Sequence, residues 1–239
     1  MNKLFLGLAI VAGSLVFAQE TKTVTTTAPM NKVKEPVRFG IKGGLNVSQF
    51  SEQELNTKSL KPGFNAGAFV NIPLSEKFAI QPEVMYNQLG AKSVVNSTET
   101  VSGDTTVKIK DNFTTSLNYI SVPVMLQMKP ADNFYIEAGP EISYFMNGKN
   151  TGETTVTTTV AGSSTTETVS ESKSINKDRM KKLNLGFGLG LGYYFTPNLG
   201  INARYVNSLT HLANNSGVAE ANKNINTNRV FQIGLNYKF

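Results

Sequence analysis

The chain of 239 residues has no cysteine, a single histidine, and no apolar run long enough to cross a bilayer as a helix. Each absence removes a class of protein. Without cysteine there is no disulfide framework and no thioether-linked lipid anchor. A lone His211 makes no cluster for zinc, and no segment carries EF-hand calcium spacing. Lys and Arg exceed Asp and Glu by 23 to 17, giving a net charge of +6, but the basic residues are scattered. Scattered charge beside an export signal argues against a nucleic-acid partner. The hydrophobic share is 40% and the mean hydropathy −0.17, values that suit a water-soluble chain. Such averages mislead when only alternate residues face lipid.

What is present begins with an export signal. Lys3 supplies the positive charge, Leu4 to Val16 an apolar stretch, and Val16-Phe17-Ala18 a small-residue cleavage site, so residues 1–18 read as a signal peptide. An uncleaved N-terminal anchor is the competing reading. Residues 19–36, rich in Thr and Lys, read as a flexible periplasmic leader. Residues 37–239 form the remaining unit.

That unit alternates at period two in eight places. The apolar stripes are Phe39-Ile41-Leu45-Val47, Phe64-Ala66-Ala68-Val70-Ile72, Phe78-Ile80-Val84-Tyr86, Ile120-Val122-Val124-Leu126-Met128, and Phe134-Ile136-Ala138-Ile142-Tyr144. The others are Leu183 to Phe195 at every second residue, Leu199-Ile201-Ala203-Tyr205, and Phe231-Ile233-Leu235-Tyr237-Phe239. Most of the intervening residues are polar or small.

Short connections (Pro73–Lys77, Lys129–Asn133, Thr196–Asn198) alternate with long ones (Ser51–Lys61, Ala91–Ser116, Gly148–Lys182, Thr210–Asn228). That alternation, with a terminal strand ending on an aromatic, predicts an all-β, eight-stranded antiparallel up-and-down transmembrane barrel. It has four long outer loops, three short periplasmic turns and both mature termini in the periplasm. Hydrocarbon cannot satisfy a free strand edge, so the sheet must close. Phe39, Phe78, Phe134, Phe195, Tyr237 and Phe239 are expected in the periplasmic aromatic girdle, with Tyr86, Tyr144 and Tyr205 toward the outer side. Pro82, Pro123 and Pro140 lie inside expected strands, against the usual placement of proline.

The segments FGIKGGLN (from Phe39), GFNAGAFVNIPLSEKFAIQPEVMYNQLG (from Gly63), LNYISVPVMLQ (from Leu117), FYIEAGPEISYF (from Phe134), LGFGLGLGYYF (from Leu185), INARYVNSLTHL (from Ile201) and FQIGLNYKF (from Phe231) carry a resemblance. They resemble the outer-membrane β-barrel family that includes PorT-type proteins and is labelled "porin family". The resemblance runs from Phe39 to Phe239 and implies the barrel fold. It implies no particular activity, because fold does not determine function.

Five charges fall on lumen-facing positions: Lys42, Glu83, Glu137, Glu141 and Arg204. Placed at similar depths in a barrel only wide enough for side chains, they are expected to pair as one network that plugs it. The alternative is an ion or proton path lined by the same groups. Near the outer rim lie Lys58, Lys61, Lys92, Lys110, Lys149, Lys177, Arg179, Lys181, Lys182 and Arg229. Of these, Lys149, Lys177, Arg179, Lys181 and Lys182 are the candidates for contact with lipid phosphates of the outer leaflet, including lipopolysaccharide. The competing reading is ordinary solvated loop charge. Tyr237 and Phe239 read as a C-terminal insertion signal for the barrel-assembly machinery.

The run from Gly186 to Gly192 is no nucleotide loop, since the alternation continues through it; the glycines make room for bulky lumen side chains such as Tyr119 and Tyr135. His211 with Ser208 lacks a nucleophile–base constellation, so no catalytic residue and no cofactor are expected. The Thr/Ser-rich stretch from Thr151 is open to disorder, to a β-hairpin above the membrane, or to an adhesive surface. These readings predict a monomeric, non-enzymatic scaffold presenting loops for envelope integrity, adhesion or interaction with another protein. A narrow passive channel is the alternative, and a soluble lipocalin-like barrel a more distant one.

Overall fold

The computed structural model describes residues 35–50, 58–177, 180–210 and 227–239. The signal peptide, most of the leader, Arg179 and His211 lie outside them. The strands are β1 (Arg38–Phe50), β2 (Lys58–Ser59), β3 (Lys61–Pro73), β4 (Phe78–Ser102), β5 (Thr105–Ala131), β6 (Phe134–Val160), β7 (Ser163–Ser174), β8 (Leu183–Tyr194), β9 (Leu199–Ser208) and β10 (Asn228–Lys238). Eight of them close a ring in the order β4-β3-β1-β10-β9-β8-β6-β5, with β5 returning to β4. Every neighbouring pair is antiparallel. The seam joins the first strand to the last, from Gly40↔Lys238 to Phe50↔Asn228.

The apolar stripes face outward. Leu189 is 57% exposed and Leu235 56%, whereas Glu137 and Arg204 on the alternate face are 3% and 2% exposed. In β8 every second residue is buried along nearly the whole strand. The three interior prolines leave their strands intact but thin the ladder. The β4–β5 register passes from Pro82↔Val124 to Met85↔Ser121 with no pair between. The β5–β6 register likewise passes from Pro123↔Glu141 to Leu126↔Ala138. Proline has no N–H to donate, and its neighbours on the ring carry the sheet past the gap.

One end of the barrel carries the short turns and the described termini. Here Leu74 N donates to Phe78 O at 2.8 Å, and the Thr196 hydroxyl accepts from Leu199 N at 2.9 Å. The aromatics of this end stand out from the wall, with Tyr237 and Phe239 packed edge to face at 5.4 Å. Phe239 N donates to Phe39 O, fixing the last residue across the seam.

The other end departs from the expected loops. Ala91–Ser116 and Gly148–Lys182 are largely strand, because β4, β5 and β6 continue beyond the ring. Hairpins at Gly103-Asp104 and Ala161-Gly162 join them into a four-stranded sheet, β4-β5-β6-β7, paired through Ser102↔Thr105, Thr105↔Val160 and Val160↔Ser163. Both Ala161 and Gly162 have positive φ (49° and 85°), as a tight turn between twisted strands requires. Strand β7 lies along β6 outside the ring, whereas the ring neighbour β8 begins only at Leu183, opposite Tyr144. The hairpin therefore extends β6 with a separate strand and not β6 with β8.

Candidate functional site: the lumen and its rim

Strand register decides which inward charges meet. Arg204, Gly190, Glu137 and Gln127 lie on one row across β9, β8, β6 and β5. Gly190 between Arg204 and Glu137 has no side chain, and a Cβ there would lie 2.9 Å from Glu137 Oε1. Through that gap Arg204 Nε donates to Glu137 Oε1 at 2.7 Å. The other edge of the guanidinium grips Glu83, with Nη1 to Oε2 at 2.8 Å and Nη2 to Oε1 at 2.7 Å. This two-pronged fit is the strongest geometry available to an arginine and a carboxylate. Lys42 Nζ lies 3.0 Å from Glu83 Oε1 on the opposite side.

Neutral amides complete the set, and their part in it was not legible from charge alone. Gln81 donates to Glu83 at 2.8 Å and Gln127 to Glu137 at 3.0 Å. Asn71 donates to both glutamines, at 3.0 and 2.8 Å. All are buried. The lone pairs of the two carboxylates are thus engaged from several sides, which a charge pair buried out of water requires.

Glu141 departs from the expected network. It is buried, but among the described residues it forms no ion pair and accepts a hydrogen bond from Ser143 Oγ at 3.0 Å. It stands four residues beyond Glu137 on the same face of β6, and Arg204, whose donors are taken up by Glu137 and Glu83, acts on it through space without a direct contact.

Side chains occupy the lumen in layers. At the turn end Tyr135 and Tyr194 stack at 5.7 Å, and Lys238 Nζ sits 3.8 Å over the Tyr194 ring. The ionic layer follows. Toward the sheet end an apolar cluster of Phe50, Leu89, Leu117, Tyr119, Phe145 and Val230 fills the bore, with Ile175 and Met180 packed against it. Gly192 makes room for Tyr135, as expected. Tyr119 instead packs on Phe145 at 5.5 Å. The space beside Gly188 and Gly190 goes to Met125, Arg204 and Glu137.

The basic residues divide. Lys149, Lys177, Lys181 and Lys182 are exposed around the sheet end of the ring, and none forms an ion pair among the described residues. Lys61 is buried at 5% exposure on the inward face, with its ammonium on the Pro62 carbonyl, so it does not point to lipid. Lys110 sits in the projecting sheet, opposite Ser97 and Thr155, well past the rim. Ser208, considered beside His211, is buried and donates to Asn184 Oδ1 at 2.8 Å.

Comparison with solved structures finds similar chains of low identity. Ail, the attachment invasion locus protein of Yersinia pestis, is 14% identical over 85% of this chain and 97% of its own, with a TM-score of 0.39. Neisserial surface protein A is 13% identical over 86% of this chain and 100% of its own, at a TM-score of 0.43. The outer membrane protein OprG from Pseudomonas aeruginosa is 13% identical over 84% and 95%, at 0.34. No curated protein matches the chain. The family described as outer membrane protein beta-barrel domain matches residues 17–214. With a closed eight-stranded ring, an apolar exterior and an ionic interior, the chain belongs to that outer-membrane β-barrel family.

Proposed function

We propose that this protein is a non-enzymatic outer-membrane scaffold whose barrel holds a rigid sheet above the membrane for contact with another macromolecule. The observation that carries this reading is the unbroken ladder from the barrel wall into β4-β5-β6-β7. A sheet continuous with its anchor keeps its shape without a partner, and its outer strand β7 is exposed throughout. Cross-strand hydroxyl pairs such as Thr151 with Ser172 at 2.8 Å and Thr159 with Ser164 at 2.8 Å knit β6 to β7. The exposed strand edge offers main-chain hydrogen bonds to an incoming protein.

Residues 1–18 are removed as a signal peptide, residues 19–36 remain as a periplasmic leader, and the turn end faces the periplasm. Tyr237 and Phe239 on the closing strand serve recognition by the assembly machinery. Lys149, Lys177, Lys181 and Lys182 meet lipid phosphates, which neutralising Lys181 and Lys182 tests through lipopolysaccharide co-purification. The lumen network acts as a plug; purified protein in planar bilayers is expected to show no stable open conductance, and a steady channel would establish the passive-pore alternative instead. Deleting Thr155–Ser170 tests the scaffold: insertion and the heat-shifted electrophoretic form persist, while surface adhesion falls. Unchanged adhesion would remove the role given to the sheet.

A further inference from the structure

Between the ionic layer and the apolar cluster lies a space of about 10 Å³, the room that one water-sized particle takes. Among the described residues its lining holds one charge, Glu141, beside Asn87, Ser143, Ser208, Asn228 and Tyr119.

The hydrogen bonds reaching Glu141 run one way. Gln232 Nε2 donates to Asn87 Oδ1 at 3.0 Å, and Asn87 Nδ2 donates to Ser121 Oγ at 2.9 Å. The Ser121 and Ser143 hydroxyls lie 2.8 Å apart, and Ser143 donates to Glu141. With the Ser143 proton on the carboxylate, the Ser121 hydroxyl donates either to Ser143 or to Glu141 itself. Every donor in the chain therefore points toward Glu141. Dipoles of this kind favour negative charge at the end of the chain but do not cancel it, and a buried unit charge is costly without a counter-charge in direct contact, which Arg204 does not supply here.

A second observation is independent of the carboxylate. Asn228 and Tyr119, 2% and 1% exposed, both line the space, and Asn228 Oδ1 and the Tyr119 hydroxyl have no hydrogen-bond partner among the described residues. A carboxylate and an amide oxygen can only accept, so an occupant has to present positive charge or protons to both. No group of three His, Asp or Glu among the described residues suits a metal ion. One carboxylate with neutral oxygens matches a single positive charge better than the several carboxylates typical of divalent sites.

We propose that this space is a binding site for one monovalent cation of the sodium, potassium or ammonium class, held by Glu141, Asn228 and Tyr119. The ion neutralises the carboxylate that the arginine network leaves without a direct ion pair. It binds the folded barrel and not the unfolded chain, so it stabilises the fold in proportion to its occupancy.

The test is urea unfolding of the full mature protein in micelles at constant chloride, with sodium, potassium, ammonium or N-methyl-D-glucamine as the cation. Above the dissociation constant, the folded-to-unfolded ratio is expected to rise about tenfold per tenfold increase in the preferred small cation. The bulky cation has no such effect. The cation with the largest effect names the occupant. Glu141→Gln is expected to abolish the difference between cations, and ²³Na relaxation to lose its binding contribution. Asn228→Leu, which leaves Glu141 and its donors in place, is expected to weaken the dependence if Glu141→Gln fails to fold. Wild-type protein indifferent to cation identity would overturn the proposal, leaving a water or a bound proton in the space. A dependence that survives in a folded Glu141→Gln variant, or that keeps its full strength in Asn228→Leu, would overturn it too, by placing the ion elsewhere.

Discussion

Strands β4, β5 and β6 each pass through two environments, and their two halves differ in nearly every respect. Within the ring, β6 alternates buried and exposed residues from Phe134 to Met146. Beyond it, from Thr151 to Val160, the same strand has no buried residue at all. The ring half sets hydrocarbon against a packed lumen, so each residue is forced to one side. The projecting half has water on both faces, and a run of β-branched Thr and Val suffices because pairing and β-propensity do not require alternation. Sheet structure is thus compatible with two kinds of sequence, and only one carries a period.

The largest expected break in this comparison is inside the ring. Arg204→Met would leave Glu83 and Glu137 buried without their shared cation, and a loss of about 3–5 kcal/mol in unfolding free energy is expected from denaturant titration in micelles. Gly190→Leu attacks the same row by volume. A side chain there meets the Ala203 carbonyl and Glu137, each 2.9 Å from where a Cβ would sit. A cost of about 1–3 kcal/mol is expected, and a neutral result would show that the row relaxes. Trimming Thr155–Ser170 touches only the projecting half and should change barrel stability by at most about 1 kcal/mol in the same titration.

The smallest effect concerns the turn end. Glu35 accepts a hydrogen bond from Lys129 at 2.6 Å, and this bond, with the ammonium charge, holds its carboxyl below the ordinary range. A lowered folded-state value means the pair contributes fully above the ordinary carboxylate range and fades as pH falls through it. Glu35→Gln should therefore lower stability slightly at neutral pH and leave the acid end almost unchanged, flattening the limb between them. A larger change at neutral pH would mean that the contact anchors more than itself.

What the sequence shows and hides follows the same division. Stripe direction was legible, because Leu189 and Leu235 alternate with residues that lipid would not accept, and the ring strands could be placed from it. The projecting sheet was harder to read, because Thr151 to Ser174 has no contrast between its faces. The inward charges could be assigned to the lumen, but not to partners. Arg204 meets Glu137 because register sets them on one row with Gly190 between, and Glu141 misses because it lies a further four residues along. Period-two patterning reports a residue's face and says nothing of its level. The polar chain from Gln232 to Glu141 was invisible for the same reason, since its members come from four strands.

The seam between β1 and β10 has a consequence for how this molecule comes into being. Its pairs join two strands far apart in sequence, β1 and β10, and the amide of Phe239 is one of its fasteners. Until the final strand arrives, two raw edges remain open to any passing strand, with every intermediate arc exposed to mispairing. Closure of the ring consequently waits on the meeting of β1 and β10, and until then the unfinished arc needs shielding from outside the chain.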